Sequence, residues 1–390
     1  MIGLRAARIV TGESGDAICG PRWLTVDGDR IVSVDGEPPA GAVLRDLGEL
    51  QLWPGIVDLH ADSLARFESP RAGTRIPLDV ALHDFTVDAV SHGIVQPYLC
   101  VSVGEGPDPQ SGYARAHTIL QTLDVIEGVL PVPVRVHLRV DTGDPGSIAA
   151  AEVLLDRHAD RIRLVSTMNH TPGQGQYRDE VSWRAAMGAR LHLGDGALEH
   201  WLTRLRAVAA EDPARRRAGA ELTRSAGAVY ATHDPGTAAD VRDAHENGAR
   251  ICEFPITAGA AASAHGLGIG VVMGAPNAWR GASHLDNLSA REAIAAGTVD
   301  ALTSDYHSGA MVRAAIELVR AGLCSADRAV GLMTVGPARL VDVPAPAADG
   351  VLAEARPATM IAVRTGPIPA VVATWFRGRQ VGGPLVEGRG

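Results

Sequence analysis

A (β/α)8 TIM barrel carrying a small β-sandwich-like domain built from both chain ends is the fold this sequence predicts, and three observations carry it. From Ile56 to around residue 340, apolar runs alternate with polar loops and with helical patterns of about 10–15 residues, the signature of a parallel α/β sheet or barrel. The runs suited to strands number eight, which favours a closed barrel over a doubly wound sheet. On either side of this alternation the texture is that of short strands and turns.

Residues 1–55 open with runs such as Arg8-Ile9-Val10 and Trp23-Leu24-Thr25-Val26, broken by Asp27-Gly28-Asp29 and Asp35-Gly36, as small antiparallel strands would be. The eight barrel strands are then expected at 56–60, 94–99, 134–140, 163–167, 228–232, 250–254, 270–273 and 301–304. Helices fall between them. Ser289 with Glu292 three residues on reads as a capping box for a helix ending near Gly297, and 237–247 runs amphipathically into Gly248. The run Arg215-Arg216-Arg217 reads as a solvated helix face. Beyond Pro344 the chain becomes Ala/Pro-rich, then strand-like again at 360–363 and 371–376, which fits a return to the N-terminal strands. The expected units are a small β domain of 1–55 plus 346–390 and a barrel of 56–345.

Composition removes several chemistries. The 390 residues include no lysine, so all 36 fixed side-chain cations are arginine. Schiff-base catalysis, a pyridoxal-phosphate anchor, a Walker-type phosphate lysine, a kinase lysine and a carboxylated-lysine metal bridge are all excluded. A formal charge of −9 argues against a nucleic-acid footprint, so an anionic ligand must be met by local arginines. Cys19, Cys100, Cys252 and Cys324 are scattered with no C-x-x-C, which points to reduced thiols and a cytoplasmic location. No signal-peptide pattern and no span of about 20 apolar residues appears, so no membrane partner is expected.

In a barrel of this kind chemistry sits at the C-terminal ends of the strands, and the polar residues there form one set. Strand one ends in His60-Ala61-Asp62, strand three in Asp141, and strand four leads into Asn169-His170. Strand five ends in His233-Asp234, strand six carries Glu253, and strand eight ends in Asp305. Neutral imidazoles and carboxylates hold Zn2+, Mn2+ or Fe2+, so one or two divalent ions are expected, Zn2+ foremost. A lone H-x-D is weak; six strand ends together are hard to obtain by accident. With no carbamate available, a carboxylate must serve as any bridge, and Asp141 is best placed. Asp305 could take the proton of an attacking water, so the reaction class is hydrolysis.

The segment Leu52-Trp53-Pro54-Gly55-Ile56-Val57-Asp58-Leu59-His60, followed by a barrel and returning strands, resembles the amidohydrolase superfamily. Within it the chain is similar to the PhnM type, over residues 50 to 310. The motifs include Pro70-Arg71-Ala72-Gly73, His137-Leu138-Arg139, His170-Thr171-Pro172-Gly173-Gln174, Met273-Gly274-Ala275-Pro276-Asn277 and Arg280-Gly281-Ala282-Ser283-His284. The resemblance implies a diphosphatase of phosphonate metabolism, in which water attacks the α-phosphorus of a ribose 5-triphosphate and pyrophosphate leaves. It also implies a metal set of His60, Asp62, Asp141, His170, His233 and Asp305, with His170 preferred to Glu253. A triphosphate calls for arginine forks and neutral donors. These would come from Arg66, Arg139 and Arg280 with Gln174, Asn277 and His284. The expected partner is a small molecule, a phosphorylated ribosyl phosphonate, and a homodimer is compatible with this reading. The competing readings are a related enzyme cleaving an amide, cyclic amide or amidine bond, and a barrel retained as a binding module.

Overall fold

The computed structural model describes residues 1–12, 18–104, 111–175, 177, 179–281, 287–341 and 349–384. Strands β1 (Ile2–Ile9), β2 (Ile18–Asp27), β3 (Arg30–Val34), β4 (Val43–Asp46) and β5 (Gln51–Pro54) precede eight barrel strands. These are β6 (Ile56–Ala61), β7 (Ile94–Val103), β8 (Arg135–Asp141), β9 (Ile162–Met168), β10 (Val229–His233), β11 (Ile251–Glu253), β12 (Gly270–Gly274) and β13 (Ala301–Thr303). The chain ends in β14 (Met360–Arg364), β15 (Ala370–Phe376) and β16 (Arg379–Gly382).

β6 to β13 form a parallel sheet in sequence order, each strand hydrogen-bonded to the next. Helices cover its outer face, and side chains such as Leu59, Tyr98, Leu164 and Ile251 fill it. Covered on both faces, these strands read as continuous apolar runs: all six residues of β6 are buried. The chain ends build a second eight-stranded sheet, in the order β16-β15-β14-β5-β1-β2-β3, with β4 added beside β1. The return is made where Met360 pairs with Pro54. This sheet is mixed rather than antiparallel throughout, because β1 runs parallel to both β4 and β5.

The barrel closes at a seam without a regular ladder. Ala61 and Asp305 form a single parallel bridge, with Asp305 N–H to His60 O at 2.9 Å and Asp62 N–H to Asp305 O at 2.8 Å. Below it, carbonyls of the turn at Leu332 and Met333 accept from Leu302 and Val57, at 2.6 and 3.0 Å. Between these two clasps the buried Asp58 carboxylate accepts from the Thr303 and Ser304 hydroxyls, and from Ser304 N–H at 3.0 Å.

Three expectations change. Between β9 and β10 the chain makes an excursion of three helices, Glu180–Leu191, Asp195–Val208 and Asp212–Ser225. The first two share a small core of their own, including Trp183, Met187, Leu198 and Leu202. The triple arginine is not a solvated face, since Arg215 is only 7% exposed. Its guanidinium donates to Thr142 O and Val208 O, both at 2.6 Å, and meets Glu211 at 3.0 Å, fastening the excursion to the loop after β8. Arg216 pairs with Asp212 at 2.7 Å, and Arg217 alone of the three is exposed. The Ser289–Glu292 capping box does not form; a complete one appears at Thr237 and Asp240 instead.

Candidate active site

The strand ends converge on one cavity of about 740 Å³. His60, Asp62, Arg139, Asp141, His170, His233, Asp234 and Asp305 line its floor. Asp234, Phe254 and Asp305, the residues just after strands five, six and eight, have φ of 54°, 49° and 55°. This left-handed backbone is costly for side chains bearing a Cβ and recurs at functional sites. It turns the chain sharply off the strand end, and all three side chains line the cavity.

Three imidazoles each set Nδ1 against a carboxylate. His60 Nδ1 lies 3.1 Å from Glu253 Oε1, His170 Nδ1 lies 2.9 Å from Asp141 Oδ2, and His233 Nδ1 lies 2.8 Å from Asp234 Oδ2. The last contact is not aligned as a hydrogen bond. Arg139 confirms the tautomer of His233. A guanidinium can only donate, so at 3.4 Å from Arg139 Nη2 the ring's Nε2 accepts and the proton sits on Nδ1. At His60 and His170 a carboxylate on Nδ1–H leaves the Nε2 lone pair available, as metal-binding histidines require, whereas at His233 an ion has to displace Arg139 from it. The other Arg139 amino group donates to Asp62 at 3.0 Å.

The electrostatics follow from this crowding. Asp62, Asp234, Glu253 and Asp305 all act on one half-buried guanidinium, that of Arg139. Burial, then the nearby Asp62 charge, pushes the Asp305 carboxyl up to about 7. Burial alone would raise Asp234, but His233 beside it, with His170 and Arg139, brings it below the usual carboxylate range. Burial, reinforced by Arg139, holds His60 well below its ordinary value and thus neutral.

His137, on the β8 face below the cavity, is fully buried, with Nδ1 3.1 Å from Leu59 O and Nε2 2.8 Å from Ser166 Oγ. The carbonyl can only accept, so Nδ1 carries the proton. Burial lowers its pKa from 6.5 to about 3. The unfolded chain therefore binds a proton below pH 6.5 that the native chain refuses, so this contribution to stability is present above 6.5 and lost as the pH falls toward 3. In urea titrations of chelated protein, the wild type is expected to lose about 2 kcal/mol more between pH 6.5 and 5 than His137→Gln. Equal pH slopes for the two proteins would refute this.

Among the described residues, a compact donor set is formed by His60, His233 and Glu253, whose ligand atoms all lie within 4.8 Å of one another. Glu253 is wholly buried, and its Oε2 has no hydrogen-bond partner. A buried carboxylate oxygen without a donor is costly, and a cation is what satisfies it. His60, Cys100 and His137 also cluster within that distance, but both ring nitrogens of His137 are already engaged. Asp62, Asp141, His170 and Asp305 line the same cavity outside the compact set, and both Asp141 oxygens already accept, from His170 and from Gly143 N–H at 2.9 Å.

Of the expected substrate contacts, Arg139, Asn277 and Arg280 line the cavity. Arg139 is committed to Asp62 and His233. Asn277 is used as a latch, accepting from Ala290 N–H at 3.0 Å and donating to Leu288 O at 3.2 Å. Arg66 lies elsewhere, exposed, paired with Asp88 at 3.3 Å and stacked on Phe67. Gln174 pairs through its backbone with Tyr177 and does not join the lining. His284 falls outside the described residues. Sequence reasoning missed Arg190, Trp201 and Arg204, which the helical excursion carries to the upper wall. The spacing of Trp201, Arg204, Leu205 and Val208 along one helix face is the signal that could have found them.

No protein-family model matches the chain. It is 31% identical over 300 residues to alpha-D-ribose 1-methylphosphonate 5-triphosphate diphosphatase of Escherichia coli strain K12, covering 75% of this chain and 78% of that protein. Among solved structures, N-acetyl-D-glucosamine-6-phosphate deacetylase of Mycobacterium smegmatis superposes with a TM-score of 0.62 at 19% identity, over 98% of this chain and 100% of that one. An amidohydrolase from a Sargasso Sea environmental sample gives 0.62 at 16% identity, over 98% and 93%. At these identities the structural likeness speaks to fold alone.

Proposed function

The chain belongs to the PhnM family of the amidohydrolase superfamily, metal-dependent hydrolases, and on that premise we propose that it hydrolyses a ribosyl 5-triphosphate between the α- and β-phosphorus, releasing pyrophosphate. The observation that supports this best is the division of the cavity. Carboxylates and imidazoles make its floor, while Arg190, Arg204 and Arg280 stand on its walls. A polyphosphate tail gives Arg204 and Arg280 anionic oxygens to meet, which a neutral amide substrate does not.

The donor set fits a divalent ion. His60, His233 and Glu253 would hold it, with Asp62 and Asp305 beside them, and Asp141 with His170 would hold a second. Zn2+ suits the nitrogen–oxygen donor mixture, and Mn2+ or Fe2+ also bind such sets. When bound, such ions polarise phosphoryl oxygens and acidify water at neutral pH. Asp305 takes the proton at a carboxylate oxygen as the water oxygen bonds to the α-phosphorus. The bond from that phosphorus to the bridging oxygen breaks, and pyrophosphate departs as an anion along the arginine wall. Arg139 keeps Asp62 in place during this step.

Incubating metal-loaded protein with the ribosyl triphosphate and assaying pyrophosphate tests the reading; no release above a chelated control sinks it. Arg204→Ala is expected to raise KM about tenfold or more with a smaller change in kcat, the cost of one charge-assisted contact. An unchanged KM would remove Arg204 from substrate binding. Tyr177, Trp201, Phe254 and Tyr306 also line the cavity and favour a second reading, hydrolysis of an amide or cyclic amide on an aromatic substrate. Turnover of such a substrate with none of the triphosphate would select it.

A further inference from the structure

The pairing of Asp141 with His170 joins two loops that belong to different βα units, and a third element holds them together. Asp212, in the first turn of the helix Asp212–Ser225, is 5% exposed. Its Oδ1 accepts from the Thr142 hydroxyl and from Asn169 Nδ2, the latter at 2.8 Å, while Oδ2 pairs with Arg216 at 2.7 Å. Thr142 directly follows Asp141 and Asn169 directly precedes His170. The Asn169 carbonyl oxygen in turn accepts Thr171 N–H at 2.8 Å, fixing the loop on the other side of the histidine. One carboxylate therefore grips the chain neighbour of each member of the pair.

We infer that Asp212 is a positioning residue that sets the spacing of Asp141 and His170, acting through Thr142 and Asn169. The location suits the task. An acidic side chain is favourable in the first turn of a helix, and the helix is fastened to the same loop by Arg215 through Thr142 O. Removing the carboxylate leaves the buried Asn169 amide without this acceptor and the buried Thr142 hydroxyl with Met168 O alone, at 3.1 Å, so the two loops lose their common anchor. A residue acting behind a ligand in this way typically governs metal affinity by about 10–100-fold.

This inference rests on the reading that Asp141 and His170 hold metal, and the experiment separates the two. Zn2+ binding to the full-length protein is measured by competition with a chromophoric chelator, for wild type, Asp141→Ala, Asp212→Asn, Thr142→Val, Thr142→Ser and Gly378→Ala. Gly378→Ala serves as a stability control in the other sheet, because its Cβ would meet Gly28 O at 2.0 Å. Asp212→Asn, whose single oxygen cannot serve both the loops and Arg216, and Thr142→Val are expected to weaken, by about 10–100-fold, the same metal equivalent that Asp141→Ala abolishes. Thr142→Ser, which keeps the hydroxyl, and Gly378→Ala, despite its lower melting temperature, should bind as wild type. Wild-type affinity in both Asp212→Asn and Thr142→Val would overturn the inference, as would an equal loss in Gly378→Ala. Full binding in Asp141→Ala would instead overturn the ligand reading. Should Asp212→Asn fail to fold, the Thr142 pair decides alone.

Discussion

Asp305→Asn is expected to lower turnover by about 10²–10⁴-fold, the range associated with loss of a general base, while the protein stays folded and at least partly metallated. The substitution is gentle for the backbone. Asp305 sits at φ 55°, and asparagine enters left-handed backbone nearly as readily as aspartate. Both of its main-chain bonds across the seam, to His60 O and from Asp62 N–H, survive. What disappears is the carboxylate that burial and Asp62 push up to about 7 in the metal-free chain, and with it the acceptor for the proton of the attacking water. The checks are kcat with the triphosphate, metal content and the melting curve. Unchanged kcat would remove Asp305 as the base; a collapsed melting curve would move its role to structure.

Asp58→Ala should act on the opposite quantity, costing about 4 kcal/mol of unfolding free energy, since four donors, the Thr303 and Ser304 hydroxyls and the Ser304 and His60 N–H groups, lose a buried charged acceptor at once. Burial raises the Asp58 pKa, with the Ser304 and Thr303 hydroxyls pulling the other way, so this carboxylate is poorly solvated and depends on those donors. A fall below about 1 kcal/mol in urea titration would show that the seam closes without it. Asp58→Asn keeps one acceptor oxygen and should lie between the two.

Much of this was legible in the sequence because it repeats or ends something. The eight apolar runs are periodic, and the polar residues that stop them stand next to them in the sequence, which is why His60, Asp141, His233 and Asp305 are legible at strand ends. What tertiary contact decides was not. Glu253 reads as a ligand candidate, but its partnership with His60 spans 193 residues. Arg66 and Gln174 were singled out for nearness to motifs in sequence, yet a helix facing Asp88 and a turn closed on Tyr177 take them elsewhere. The capping box at Ser289 fails for a related reason. Asn277, from a different helix, accepts from Ala290 N–H, and the Ser289 hydroxyl turns to Gly281 O at 3.5 Å. The arginine run misled because solvation was inferred from charge alone, whereas Arg215 found carbonyls to satisfy it.

The seam gives the molecule an order of assembly. Asp58 and Ser304 are 246 residues apart, so joining them carries a large loop-closure entropy, and neighbouring strands pair first. The turn at 332–333 must also be in place before β6 and β13 can meet. Asp305 stands on that last joint. On the mechanism proposed above, a chain still completing its ring lacks the proton acceptor, so hydrolytic competence arrives with the final strand and not before.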